Sequence, residues 1–486
     1  MTDNSACARA LAGRLFIGGE WRDASDGARL TVEDPGTGEA LTDVAAGTPE
    51  DGVAAIGAAA AAAADWAATP PRDRAEILRR TWELLMAQRA EIARLIAQES
   101  GKALTPDAEG EVDYGAEFLR WFAEEACRGI GSFATAPTGQ YRIIKQLQPV
   151  GVSVLVTPWN FPLAMATRKI GPALAAGCTV VLKPASATPL TSFALAELFR
   201  QAGLPAGVLN VVTAHSTGDV VGAMLADSRV RKLSFTGSTE VGRGLLQGAA
   251  QNVLRTSMEL GGNAPFVVAA DADMATALDS AMVAKLRNGG QACTAANRFI
   301  VHSSRVDEFC AGFAERLQAV TVGYALDQDT QLGSMISADA VDGILELVTD
   351  ATSRGAQIVV GGERIDRAGY FMQPTLLRDV PRDARCLTEE IFGPVAPVTT
   401  FDTFDEAIEL ANDTEFGLVS FIQTADLATG LEFADRIESG MVGINRGVVS
   451  DPAAPFGGWK QSGLGREGGH EGLLEYLETK YVAASW

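Results

Sequence analysis

From Val150 onward the chain alternates short apolar runs with longer helix-period runs, and this constrains the fold more than any other feature. "VGVSVLVTP", "TVVLKP", "VLNVVTA" and "RKLSFTG" read as strands. Between them, "LAMATRKIGPALAAG", "PLTSFALAELFRQAG" and "TGDVVGAMLADS" read as helices. Strands that are apolar throughout must be covered on both faces, which predicts an α/β class with a parallel, doubly wound sheet. A second run starts near Ala264, with "APFVVAA", "NRFIVHS", "QIVVGG", "GYFMQPTLL" and "VAPVTTF" as strands and helices between, and predicts a second α/β unit. At 486 residues the chain exceeds one ordinary core, so two or three domains are expected.

The first 150 residues read differently. "RLFIGGEWRD" and "RLTVEDPGTGEAL" suggest a short β-meander with glycine turns. "VAAIGAAAAAAADWAA" is an alanine-rich helix stopped by Pro70-Pro71, followed by helices over 72–88 and 89–99. Tyr114, Phe118, Trp121 and Phe122 fall on one helical face and read as core packing.

A net charge of −21, with no basic run, argues against a nucleic-acid partner. No apolar stretch reaches membrane-spanning length, and no membrane partner is expected. The start lacks a charged-then-apolar signal layout, and Asp3 is unlike a transit peptide. The six cysteines form no CxxC pair, which fits a reducing compartment and no metal site. A cytoplasmic location is expected.

One cysteine stands apart. "RNGGQACTAANR" sets Cys293 among small and polar residues, where a bound molecule can approach a thiol. With only three histidines in the chain and none in a matching motif, the better base is Glu259 of "MELGGNAP". A lone glutamate is usually a solvated surface group and a lone cysteine usually core filler, so the surrounding motifs carry the weight. "TPWNFP" fixes Asn160 between two prolines, where its amide suits a developing oxyanion. "LKPAS" puts Lys183 at a strand end, and "FTGSTEVG" offers a glycine turn and helix start for a pyrophosphate. "EEIFGPV" adds Glu390 downstream.

These motifs, in this order, with the tail "PFGGWKQSGLGREGGHEGLLEYLETKYV", resemble the aldehyde dehydrogenase superfamily over essentially the whole chain, and within it most closely the NADP-type succinate-semialdehyde group. The resemblance implies Cys293 as nucleophile, Glu259 as general base, and Asn160 with the Cys293 backbone N–H as oxyanion donors. It implies cofactor contacts at Thr157, Pro158, Trp159, Lys183, Ser186, Gly237, Ser238, Leu260, Glu390 and Phe392. Arg168, Arg287 and Ser450 match the group that binds a substrate carboxylate. The family fold has a cofactor domain, here 1–137 and 156–261. Its catalytic domain is 262–470, and a small β oligomerisation flap covers 138–155 and 471–486. Relatives that prefer NAD often have Glu where Ser186 stands; a carboxylate there repels a 2′-phosphate, so NADP is the expected cofactor, with NAD accepted.

The expected reaction is oxidation of a semialdehyde, succinate semialdehyde above its glutarate or 2-oxoglutarate homologues or a plain aldehyde, by a homodimer or homotetramer. CoA-acylating relatives lack the glutamate base, and a catalytically silent relative would have lost Cys293, Asn160 or Glu259; all three are present. Two departures stand out. Ala295 replaces the second cysteine common two positions after the nucleophile, and "TAHSTG" replaces a glycine-containing stretch near the adenine site.

Overall fold

In the computed structural model, residues 5–486 are described, so Asp3 lies outside the described residues. The strands predicted after Val150 form the centre of an eight-stranded sheet. Leu209–Val211, Val180–Lys183, Val152–Val156, Val230–Thr236 and Arg255–Glu259 lie side by side and parallel. Val152–Val156 and Val180–Lys183 are buried along their whole length, as strands covered by helices on both faces must be. The chain steps outward from Val152–Val156 to Leu209–Val211, then returns to place Val230–Thr236 on the other side of Val152–Val156. That reversal is a topological switch point, where the loops leaving two neighbouring strands diverge and open a crevice. Antiparallel pieces close both edges: the hairpin Leu15–Ile17 and Glu20–Arg22 on one side, Gly463–Leu464 on the other.

The second unit is a seven-stranded sheet. Its spatial order is Gln357–Val360, Thr375–Arg378, Val395–Phe401, Ala296–His302, Ala264–Val268, Val419–Gln423, Met441–Ile444, parallel except at the Gln357–Val360 edge. Phe266, Phe299, Phe309 and Phe313 fill its core. Ser132–Thr135, Arg142–Pro149 and Leu477–Ala484 form a separate three-stranded antiparallel sheet. No single helix among the described residues is long and apolar enough to cross a membrane.

Several boundaries differ from the sequence reading. The expected meander is two hairpins in two places, because Arg29–Asp34 and Glu39–Ala45 pair only with each other. The alanine-rich helix begins at Pro49, where Thr48 and Asp51 form a capping box, and ends at Ala68. Pro71 starts the next helix, Pro71–Ala87, since a first helical residue needs no N–H partner. In "GYFMQPTLL" only Thr375–Arg378 is strand, because Pro374 cannot donate to a ladder. The three-stranded sheet starts at Ser132 rather than 138, and Val152–Val156 belongs to the large sheet: Pro149 makes the last small-sheet pair, and Gly151, at φ 122°, redirects the chain. On the helix Glu109–Glu125, Phe118 and Phe122 are core as expected, whereas Tyr114 lines a cavity.

Candidate active site

Where the two large sheets meet there is a cavity of about 250 Å³. The switch point supplies one wall. Pro158, Trp159 and Asn160 leave Val152–Val156, while Gly237 and Ser238 leave Val230–Thr236 and start the helix Thr239–Ala250. Ser238 caps that helix, accepting the Val241 N–H at 3.4 Å. The opposite wall is the loop before Ala296–His302, with Cys293 and Thr294. Leu260 and Gly261, linking the sheets, join it, as do Glu390 and Phe392. Arg168, Arg287 and Ser450 complete the wall. No histidine lines it.

Cys293 sits in a tight turn in which the Ala295 N–H donates to Ala292 C=O at 2.9 Å. The turn packs on Gly262, where a Cβ would lie 2.3 Å from the Cys293 carbonyl oxygen, so only glycine admits this approach. Cys293 is half-buried, and the surrounding protein pushes its thiol up to about 12, by desolvation first. Its backbone N–H has no acceptor among the described residues. The Asn160 amide nitrogen donates one N–H to the Gln291 carbonyl at 2.9 Å, leaving its second free.

Glu259 ends the strand Arg255–Glu259 but does not line the cavity. It is 2% exposed, and neither carboxylate oxygen has a hydrogen-bond partner among the described residues. Burial, then the charge of Glu467, holds its carboxyl well above the usual range. Glu467 behaves oppositely. Burial works against its charge, but Lys169 and Arg168 outweigh it and hold Glu467 below the usual range. Lys169 donates to Glu467 and to Ser234 Oγ at 2.9 Å. Arg168 Nε lies 2.7 Å from Glu467 Oε2, an ion pair whose N–H is not aligned as a hydrogen bond. Thus Arg168 both lines the cavity and holds an acid behind it.

Arg287 is the contrast. It is half-buried, packs over the Phe161 ring at 4.8 Å and the Tyr114 ring at 5.7 Å, and has no hydrogen-bond or ion-pair partner among the described residues. Unpaired cationic charge and a thiol face one small cavity.

The comparisons with known proteins agree with this geometry. Residues 21–482 match the Aldehyde dehydrogenase family. The chain belongs to that family. It is 55% identical to a succinate-semialdehyde dehydrogenase of Paenarthrobacter nicotinovorans, over 91% of this chain and 98% of that one. It is 46% identical to the NADP(+) succinate-semialdehyde dehydrogenase of Escherichia coli K12, over 96% and 97%. The crystal structure of a succinate-semialdehyde dehydrogenase from Burkholderia pseudomallei superposes with a TM-score of 0.96, at 43% identity, over 98% of each chain. As an aldehyde dehydrogenase the chain is an oxidoreductase that takes an aldehyde to an acid with a nicotinamide cofactor.

Thr157, Lys183 and Ser186 lie beside the cavity rather than in it. The Thr157 N–H donates to Lys183 C=O across neighbouring strands, and Ser186 Oγ donates to Ala214 C=O at 2.7 Å. Lys183 is buried, bonded among the described residues only to Thr217 Oγ1 at 2.7 Å, and burial lowers its amine to about 8. A buried amine without an acidic partner fits an anionic ligand. Thr157 Oγ1 and Thr236 Oγ1, at the ends of the two switch-point strands, are buried without partners among the described residues. Burial raises Glu390 to about 7; it accepts the Gly262 N–H at 3.1 Å, and the Trp159 and Phe392 rings meet edge-on at 5.4 Å. These groups fit a dinucleotide lying from the strand ends into the cavity.

Several cavity residues escaped the sequence reading. The sequence reading gives Phe161 and Phe456 no role, and it places Tyr114 in the core stripe. Glu467 sits in the tail motif, with no sign in the sequence that it meets residues 298 and 299 positions earlier. Lys102 and Glu111, a fully buried pair at 2.6 Å, carry the same kind of long-range information: Lys102 also donates to the Asn160 carbonyl at 2.6 Å.

Proposed function

We propose that this aldehyde dehydrogenase oxidises succinate semialdehyde to succinate with NADP, using Cys293 as nucleophile. The observation that carries the substrate is Arg287: a guanidinium with no ion-pair partner among the described residues, lining with Ser450 the cavity that holds the thiol. A charged partner contributes about 1.5–3 kcal/mol through one charge-assisted hydrogen bond. Arg168 contributes less, because Glu467 already pairs its Nε.

The chain's own groups do the following. The Cys293 thiol gives its proton to solvent water, the thiolate sulfur then forms a bond to the aldehyde carbon, and the C=O π bond breaks so that the carbonyl oxygen becomes an oxyanion. The free Asn160 amide N–H and the Cys293 backbone N–H hold that oxyanion. When bound, NADP supplies the acceptor for the hydride lost from the aldehyde carbon. A thioester on Cys293 remains. Glu259 then takes a proton from water, hydroxide adds to the thioester carbon, and the C–S bond breaks to release succinate and the sulfur. Glu259 has no hydrogen bond to break among the described residues before it acts. Only its ionised form can act as base, and its carboxyl is held well above the usual range, so hydrolysis is expected to speed up as pH rises.

Lys183, Ser186, the Gly237–Ser238 turn and Glu390 are assigned to the cofactor, with Thr157, Pro158, Trp159, Leu260 and Phe392 around its nicotinamide end. The absence of a carboxylate at Ser186 supports NADP over NAD. The eight-stranded unit is then the cofactor domain, the seven-stranded unit the catalytic domain, and the three-stranded sheet the flap. Phe133 and Tyr481 are exposed on that sheet, with Trp486 stacked on Phe133 at 6.1 Å, which supports burial against a second copy. Six unpaired cysteines support work in the cytoplasm. The test is steady-state kinetics, read at the reduced-nicotinamide band, on succinate semialdehyde, glutarate semialdehyde and butanal with NADP and NAD. Succinate semialdehyde with NADP is expected to give the highest kcat/KM; butanal or NAD ahead would reject the assignment.

A further inference from the structure

Asn288 lies five residues before Cys293 and is buried. Its backbone is left-handed, at φ 54° and ψ 34°. Its amide nitrogen donates to two carbonyls, Asn160 C=O at 3.0 Å and Gln291 C=O at 2.9 Å. The Gln291 carbonyl also accepts from the Asn160 amide at 2.9 Å. One ring of hydrogen bonds therefore ties the loop of the oxyanion donor to the loop of the nucleophile.

We propose that Asn288 is a positioning residue that sets the Asn160 amide relative to Cys293, so that its free N–H meets the oxyanion. This rests on the reading of Asn160 as oxyanion donor given above. Asn288 and Gln291 belong to the nucleophile loop, and Asn160 to the switch-point loop, 128 residues away from Asn288 in the sequence. Without the Asn288 amide, the Asn160 carbonyl keeps Lys102 and the Gln291 carbonyl keeps Asn160, but nothing holds both oxygens at once.

The support behind the ring is charged and buried. The Asn288 N–H donates to Asp107 Oδ1 at 3.0 Å. Lys102, donating to the Asn160 carbonyl, is paired with Glu111, which takes the Leu163 and Ala164 N–H groups at the start of the helix Pro162–Ala176. The residue type follows from the backbone. Left-handed φ/ψ is readily adopted by glycine and tolerated by asparagine, and of the two only asparagine carries a donor. The sequence "RNGG" then reads as an asparagine followed by two glycines, all three at positive φ.

The test is a double-mutant cycle of Asn288→Gly and Asn160→Ala, read as single-turnover hydride transfer from succinate semialdehyde to NADP. Asn288→Gly keeps the left-handed backbone and removes only the amide. It is expected to slow the burst of reduced cofactor about tenfold or more, with KM for aldehyde and cofactor within about threefold of wild type. Asn160→Ala is expected to be slower still, and the double variant no slower than Asn160→Ala. Asn288→Ala, measured in parallel, should show the same burst defect. Multiplying losses in the double variant, or a wild-type burst in Asn288→Gly beside a slow Asn160→Ala, overturns the positioning role alone. A wild-type burst in Asn160→Ala overturns the oxyanion reading and the positioning role with it.

Discussion

Arg168 and Arg287 line the same cavity, yet they sit in opposite electrostatic settings. Arg168 is 1% exposed, paired with Glu467 at 2.7 Å and packed over Phe456 at 4.0 Å. Arg287 is half-buried among aromatic faces and has no ion-pair partner among the described residues; the nearby Asp107 carboxylate is taken by the Asn288 N–H at 3.0 Å. One guanidinium holds a buried acid in its charged form; the other is free to answer a ligand. The difference teaches that spacing along a chain tells which cations reach a cavity, but not which of them are already neutralised there. A residue from the far end of the sequence decides that.

The largest effect is expected in the Arg168 corner, where Glu259, the proposed base, sits. Glu259→Gln should leave a burst of reduced cofactor in a single turnover while steady-state turnover falls about 10²- to 10⁴-fold, since it removes general-base help in hydrolysis only. Loss of the burst as well would place Glu259 in the thiol step too. The same variant has a stability signature. The folded carboxyl keeps its proton above the usual range, whereas the unfolded chain releases it near pH 4. Wild-type stability therefore falls as pH rises above about 4, until the folded group also ionises. Glutamine cannot ionise, so Glu259→Gln should melt higher than wild type, by a margin that widens with pH over that window. Equal melting temperatures from pH 5 to 8 would contradict the buried, protonated state.

Next in size is Glu467→Gln, which strands Arg168 and Lys169 as buried charges. Breaking a buried pair on one side destabilises by about 3–5 kcal/mol, so a clear drop in denaturant midpoint is expected. Arg287→Met, which breaks no pair, should leave the midpoint close to wild type. A large shift in the second and none in the first would reverse the comparison.

The smallest effect lies outside both corners. Ser186→Glu should move preference from NADP towards NAD on the order of tenfold, because one charge–charge contact at a partly solvated site is worth about 1–4 kcal/mol. Unchanged preference would remove Ser186 from the cofactor assignment.

Much of this was legible in the sequence, for a physical reason. The parallel strands are short, continuous apolar runs, so the switch point and the loops "TPWN" and "FTGS" that leave it could be found by pattern. Cys293, Asn160 and Ser450 carried local motifs, and the cavity brings all three together. What stayed hidden depends on contacts between distant segments. Nothing near Arg168 announces Glu467, and nothing near Asn160 announces Lys102 or Asn288. Tyr114 was hidden by its helix, where a stripe of aromatics faces the core along most of its length and the cavity at one end. The motif names Glu259 as base, but only its burial beside Glu467 shows that its carboxyl is held well above the usual range.

The account stands most directly on the ratio of kcat/KM for succinate semialdehyde to that for butanal, measured with NADP for wild type, Arg287→Met and Arg168→Met. Wild type should favour the semialdehyde strongly. Arg287→Met should lower the ratio about ten- to a hundredfold with butanal little changed, the loss of one charge-assisted hydrogen bond to the distal carboxylate. Arg168→Met should lower both rates together and reduce stability, with a smaller change in the ratio. Wild-type preference for butanal, or a ratio that falls more in Arg168→Met than in Arg287→Met, would contradict the assignment of Arg287 as the carboxylate anchor.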